Sequence, residues 1–79
     1  MTSSKDPILA AFGSRVRQLR KERSLSQEAL ADEAGLDRSY IGQVERGEKN
    51  VSLSNICRIS NALNVPPQSL LETIYVHQE

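Results

Sequence analysis

Residues 25–47 read LSQEALADEAGLDRSYIGQVERG, and this stretch decides the fold. Ser26 is a natural N-cap, because its hydroxyl can accept from a free backbone N–H of the first turn. It opens a helix over Gln27 to Ala34, with Leu30 and Ala34 facing inward. Gly35 ends that helix, since glycine tolerates the left-handed conformation a chain adopts on leaving a helix. Asp37 reads as the N-cap of a further helix, Arg38 to about Arg46, whose buried pair is Ile41 and Val44. Gly47 closes it in the same manner as Gly35. Only Gly35-Leu36-Asp37 joins the two helices, and so short a turn makes them cross steeply.

The flanking segments continue the helical pattern. From Pro7, favourable in a first turn, Leu9, Phe12, Val16 and Leu19 recur at three- and four-residue steps as far as about Arg23. Ser24-Leu25-Ser26 breaks this helix. After a polar loop, Glu48 to Val51, Ser52 caps a fourth helix with the stripe Leu53, Ile56, Ile59 and Leu63, ended by Asn64. Val65-Pro66-Pro67 opens a fifth, Gln68 to about Val76, with Leu70, Leu71 and Ile74 apolar. The expectation is an all-α, compact five-helix bundle: a flexible polar tail over 1–6 and one domain over 7–79.

Composition limits the function. The chain has 79 residues, three aromatics (one Phe, two Tyr), one Cys and one His. One cysteine excludes an intrachain disulfide, and one His with one Cys cannot fill an ordinary structural zinc site, so no metal or cofactor is expected. No apolar run approaches the roughly 20 residues of a membrane span. The N-terminus has no basic region followed by an apolar stretch, so no secretion signal is read and a cytoplasmic location is expected. The sole His, His77, stands near the end of the chain with no partner in sequence reach, and no phosphate-cradling glycine loop is present. An enzyme is not expected.

Ten basic residues balance ten acidic ones, whereas nucleic-acid binders usually carry a basic excess. The signs are nevertheless segregated: Arg15, Arg17, Arg20, Lys21 and Arg23 crowd one stretch, and Glu28, Asp32, Glu33 and Asp37 the next. A basic face is open to this chain, as is an ordinary solvated one. The third helix carries Arg38, Ser39, Tyr40, Gly42 and Gln43 on positions read as outward. Arginine donates a bidentate pair to guanine and glutamine pairs with adenine, so Arg38 and Gln43 could address neighbouring base steps. Such a surface is by default merely solvated; the glycine turn before it directs the reading to a recognition helix in the DNA major groove. Gly42, read as exposed, would serve close approach to DNA or be a tolerated imperfection.

The runs Leu25 to Ala31, Gly35 to Ile41 and Val44 to Gly47 resemble the Cro/C1-type (XRE-like) helix-turn-helix family, over about Phe12 to Leu71. Within it, Leu36 through Leu53 looks most like the controller proteins of restriction–modification systems. The resemblance implies a lambda-repressor-like fold and a transcriptional regulator of its own operon, acting as a homodimer on a two-fold symmetric DNA operator, with RNA polymerase as a further partner. No small-molecule ligand is implied. It places Arg38, Ser39 and Gln43 on bases, and Gln27, Tyr40, Arg46, Lys49 and Asn50 on the DNA backbone. Arg20 and Glu45 match a pair bridging the first and third helices. The alternative is an antitoxin-like interaction module that also binds DNA.

The apolar run Leu70, Leu71, Ile74, Tyr75 and Val76 exceeds what one side of a short helix buries. Leu71, Ile74, Tyr75 and Val76 are therefore the expected dimer interface. The competing reading has Leu70, Leu71 and Ile74 finishing the monomer core. Cys57 is read as a small core filler rather than as part of that surface. Arg15 and Arg17 are read as solvated charges or charges near DNA, without assigned roles.

Overall fold

The computed structural model describes residues 6–74. Tyr75, Val76, His77 and the tail before Asp6 lie outside the described residues. Asp6, counted with the tail from sequence, caps the first helix: its carboxylate accepts from the N–H of Ile8 at 2.8 Å and of Leu9 at 3.4 Å. The elements are α1 (Pro7–Glu22), α2 (Gln27–Ala34), α3 (Arg38–Glu45), α4 (Leu53–Leu63) and α5 (Gln68–Leu71), with no strand among the described residues.

Local chemistry sets these limits. The Ser26 hydroxyl accepts from Ala29 N–H at 3.0 Å, and that of Ser52 from Asn55 N–H at 3.1 Å. Asp37 stands at the N-cap of α3 in extended conformation but makes no side-chain cap bond. Gly35 ends α2 at φ 70°, and the chain folds back so that Leu36 N–H reaches the Ala31 carbonyl at 2.9 Å. Asn64 ends α4 at φ 59°, a left-handed position that asparagine tolerates better than most side chains.

The fifth helix is shorter than its sequence suggests. It runs only Gln68–Leu71, without a side-chain cap, and Ile74 N–H closes a tight turn onto the Leu71 carbonyl at 3.0 Å. The Ser69 carbonyl, which Thr73 N–H would meet in a continuing helix, accepts instead from Arg15 Nε at 2.8 Å. Arg15 is thus not a loose charge: it ties α1 to α5, its Nη2 reaching Glu72 at 2.6 Å.

The core gathers Phe12, Val16 and Leu19 of α1, Leu30 and Ala31 of α2, Ile41 and Val44 of α3, Ile59 and Leu63 of α4, and Leu70 of α5. Each large aliphatic side chain buried here contributes about 1.5–3 kcal/mol by leaving water. Five short helices of marginal individual stability are thereby held as one unit. The expected stripes are buried or half-buried except at Leu53 and Leu71, and Cys57 departs from its expected place. Leu53 is 74% exposed, and Cys57 is exposed rather than filling the core. Leu53 is the first residue of α4, at its N-terminal end, and Cys57 lies on the side of that helix away from Ile59. No helix among the described residues is long and apolar enough to cross a membrane.

Candidate nucleic-acid interface

The site is built on α3. Ile41 and Val44, at 0% and 1% exposure, anchor one side of this helix in the core. Ser39, Gln43 and Arg46 follow one another at four- and three-residue steps on another side, one stripe of a helical surface. Arg38 and Ser39 are exposed at its N-terminal end, and Gln43 is half-buried. The stripe passes into the loop carrying Arg46, Lys49 and Asn50, all exposed.

A chain of polar contacts fixes α3 against its neighbours. Arg20 of α1 grips Glu45 at the end of α3 bidentately, Nε to Oε2 at 2.6 Å and Nη2 to Oε1 at 3.0 Å. Its remaining Nη1 donates to the Leu25 carbonyl at 2.8 Å. The pair is almost dry, with side-chain exposures of 10% and 3%. The hydrogen bond to Glu45 raises the Arg20 pKa; its charge adds to this and desolvation opposes it. Gln27, first residue of α2, extends the network: its Nε2 donates to Glu45 Oε1 at 3.0 Å, and its Oε1 accepts from Arg38 Nη1 at 3.3 Å. Arg20, Gln27, Glu45 and Arg38 thus form one continuous path from the first helix to the exposed tip of the third.

Tyr40 is half-buried against the core rather than fully outward, and its hydroxyl accepts from Asn55 Nδ2 of α4 at 3.2 Å. Arg46 pairs with Glu48 at 2.9 Å and 3.3 Å on the surface. The hydrogen bond from Arg46 is the main reason Glu48 lies below its ordinary carboxylate pKa, with the charges of Arg46 and Lys49 adding to it against desolvation.

Gly42 does not face open solvent as its position suggested. It is buried beside Gln27, where an added Cβ would lie 3.7 Å from Gln27 Oε1 and 3.2 Å from Arg46 Nη1. Three positioning residues escaped the sequence reading. Gly13 lets α1 approach α3: an added Cβ would stand 2.2 Å from the Val44 carbonyl oxygen. Its only signal was a glycine inside a helix, which costs about 1 kcal/mol relative to alanine. Asn55 and Arg15 had no local signal, because their partners are distant in sequence.

Next to the loop that follows α3, Leu71 is 42% exposed and Ile74 half-buried, while Leu70 is wholly buried. Leu71 and Ile74 line a small apolar groove with Ile8, Leu9 and Phe12 of α1, Ile56 of α4, and Asn50 and Val51 of the loop after α3. Of the three, Leu70 completes the monomer core, Ile74 packs against it half-buried, and Leu71 remains exposed.

Two helices joined by a glycine turn, the second braced from behind and presenting Arg, Ser and Gln outward, define a DNA-binding regulator of the helix-turn-helix class. The family model described as Helix-turn-helix matches residues 16–70, and the chain belongs to that family. Control protein C.BamHI of Bacillus amyloliquefaciens is 55% identical over 66 residues, 82% of each chain. Control protein C.SmaI of Serratia marcescens is 50% identical over 56 residues, 71% of this chain and 67% of that one. Among solved structures, the restriction–modification controller protein C.AhdI from Aeromonas hydrophila superposes with a TM-score of 0.78 at 55% identity, covering 78% of this chain and 94% of that one. The chain is a non-enzymatic regulator, and restriction–modification controller proteins are among its most similar relatives.

Proposed function

We propose that the chain is a restriction–modification controller protein that regulates its own operon by occupying a two-fold symmetric operator as a homodimer. The observation that carries this reading is the exposed start of α3, where Arg38 and Ser39 stand free of the core while Gln27 and the Arg20–Glu45 pair hold the helix from behind. Arg38 addresses guanine, and Ser39 and Gln43 address neighbouring bases. Gln27, Tyr40, Arg46, Lys49 and Asn50 hold the sugar-phosphate backbone and set register. One helix of 8 residues spans about 12 Å and reads only a few base pairs, so useful discrimination requires a second copy. The groove between α1 and α5, edged by exposed Ile8 and Leu71, is the face that second copy covers. In sequence, Tyr75 and Val76 extend this apolar run. On DNA in the bacterial cytoplasm, the dimer blocks or recruits RNA polymerase according to where its operator lies.

Selection of bound sequences from random duplex DNA, run with wild-type protein and Arg38→Ala side by side, tests the reading. A two-fold symmetric site should emerge, and its guanine preference should relax in the variant. No enrichment by wild-type protein at low salt would instead favour an interaction module with a DNA-binding fold.

A further inference from the structure

The terminal helix is poorly equipped to hold itself. It has 4 residues, no side-chain cap and one buried side chain, Leu70. Isolated helices of this length do not persist in water, because a first turn costs more entropy than its hydrogen bonds return. Its placement therefore depends on what grips it from outside. Leu70 anchors it to the core, but a single aliphatic side chain leaves rotation about that point open.

Arg15 supplies the second point. Its side chain is only 13% exposed. Nε donates to the Ser69 carbonyl at 2.8 Å, Nη2 meets Glu72 at 2.6 Å, and Nη1 donates to Gln18 at 3.2 Å within α1. The planar fork is held by its own helix while it grips α5 on both sides of Leu70. Leu71, between the two gripped residues, and Ile74, just beyond them, form one wall of the apolar groove, whose other walls include Ile8, Leu9 and Phe12 of α1 with Val51 and Ile56.

We infer that Arg15 is the positioning residue of the dimer face: by gripping Ser69 and Glu72 it sets where Leu71 and Ile74 stand against α1, and so whether the groove matches its copy. This rests on the reading of that groove as the dimer interface. The Ser69 contact carries most of the effect, because it is shielded and charge-assisted, whereas Glu72 is 58% exposed and its attraction is screened by solvent.

The test measures the dimer dissociation constant by sedimentation equilibrium for the full chain and for Arg15→Ala, Arg15→Lys, Glu72→Ala and Ile74→Asp. Amide hydrogen exchange is followed on the same proteins. Ile74→Asp should be monomeric. Arg15→Ala should weaken the dimer by about tenfold or more, the order expected when a charged donor is lost. Glu72→Ala should cost about two- to threefold, in keeping with an exposed pair. Arg15→Lys, which supplies charge without the fork, should fall between wild type and alanine. Exchange in Arg15→Ala should accelerate over residues 69–74 and stay at wild-type rates in α2 and α3, which a general loss of stability would not produce. Wild-type dimerisation by Arg15→Ala beside a monomeric Ile74→Asp overturns the role of Arg15 and leaves the interface standing. Faster exchange throughout the molecule also overturns it. An Ile74→Asp protein that still dimerises moves the interface elsewhere and removes the assignment of Arg15 with it.

Discussion

Two glycines, Gly13 of α1 against the end of α3 and Gly42 within α3, predict opposite outcomes for the same substitution. At Gly13 an added methyl would stand 2.2 Å from the Val44 carbonyl oxygen and 2.7 Å from that of Glu45. Both are backbone atoms at the end of α3, so α1 and α3 must separate to admit it. Gly13→Ala is expected to destabilise the fold by about 1–3 kcal/mol, the range for overpacking a close contact, measured by urea unfolding followed through helical circular dichroism. A gain in stability would mean that the two helices do not pack this closely. At Gly42 the nearest atoms are the ends of Arg46 and Gln27, at 3.2 Å and 3.7 Å, and flexible side chains can yield. Gly42→Ala should therefore stabilise the free protein by up to about 1 kcal/mol through helix propensity. It should also displace Arg46 and weaken operator binding, measured by thermal melts beside a DNA titration. Tighter binding with unchanged sequence preference would contradict this account.

At the scale of the element, α3 and its following loop differ in how they are held. The dry Arg20–Glu45 pair fixes the helix, whereas in the loop the Arg46 side chain is held by a surface pair with Glu48. A phosphate that takes Arg46 must first break that surface pair. Arg46 lowers the Glu48 pKa in the free protein, so this carboxylate supports folding at pH above its unfolded range and loses that support as pH falls through its depressed value. When DNA removes Arg46, the Glu48 pKa rises again and the complex holds a proton more readily than the free protein. Operator affinity should thus strengthen as pH falls from neutrality towards about pH 4, the ordinary glutamate range. Glu48→Gln should bind more tightly than wild type at neutral pH and lose that part of the pH response, as followed by fluorescence anisotropy. Equal affinities and parallel pH curves for the two proteins would show that Arg46 does not exchange Glu48 for DNA.

For the whole molecule, a net charge of zero and a DNA-binding role are compatible because charge is placed rather than accumulated. Arg20 and Arg15 are committed to internal contacts, so the cations left for phosphate are fewer than the basic stretch suggests. Binding should then rest on a small number of phosphate contacts, and each should register in the salt dependence. Lys49→Ala is expected to weaken binding evenly across sequences and to flatten the slope of log affinity against log salt by about 2, near one unit for each protomer of a dimer. An unchanged slope over a series of salt concentrations would place Lys49 away from the DNA.

The sequence by itself determined the helix order and the recognition unit. The information there is local: serine caps, glycine stops and three- and four-residue apolar steps act within one turn of the backbone. The start of α2 at Gln27 and its end before Gly35 were legible for that reason, as were the start of α3 at Arg38 and its buried pair. Only the tertiary structure decided the length of α5 and joined its Ser69 carbonyl to Arg15, 54 residues away. It likewise decided that Gly13 is a contact between helices, that Gly42 is buried beside Gln27, and that Tyr40 takes Asn55 as partner. These are encounters between side chains and backbones of different elements. Helical periodicity says which way a residue points relative to its own axis, and nothing about which axis lies opposite.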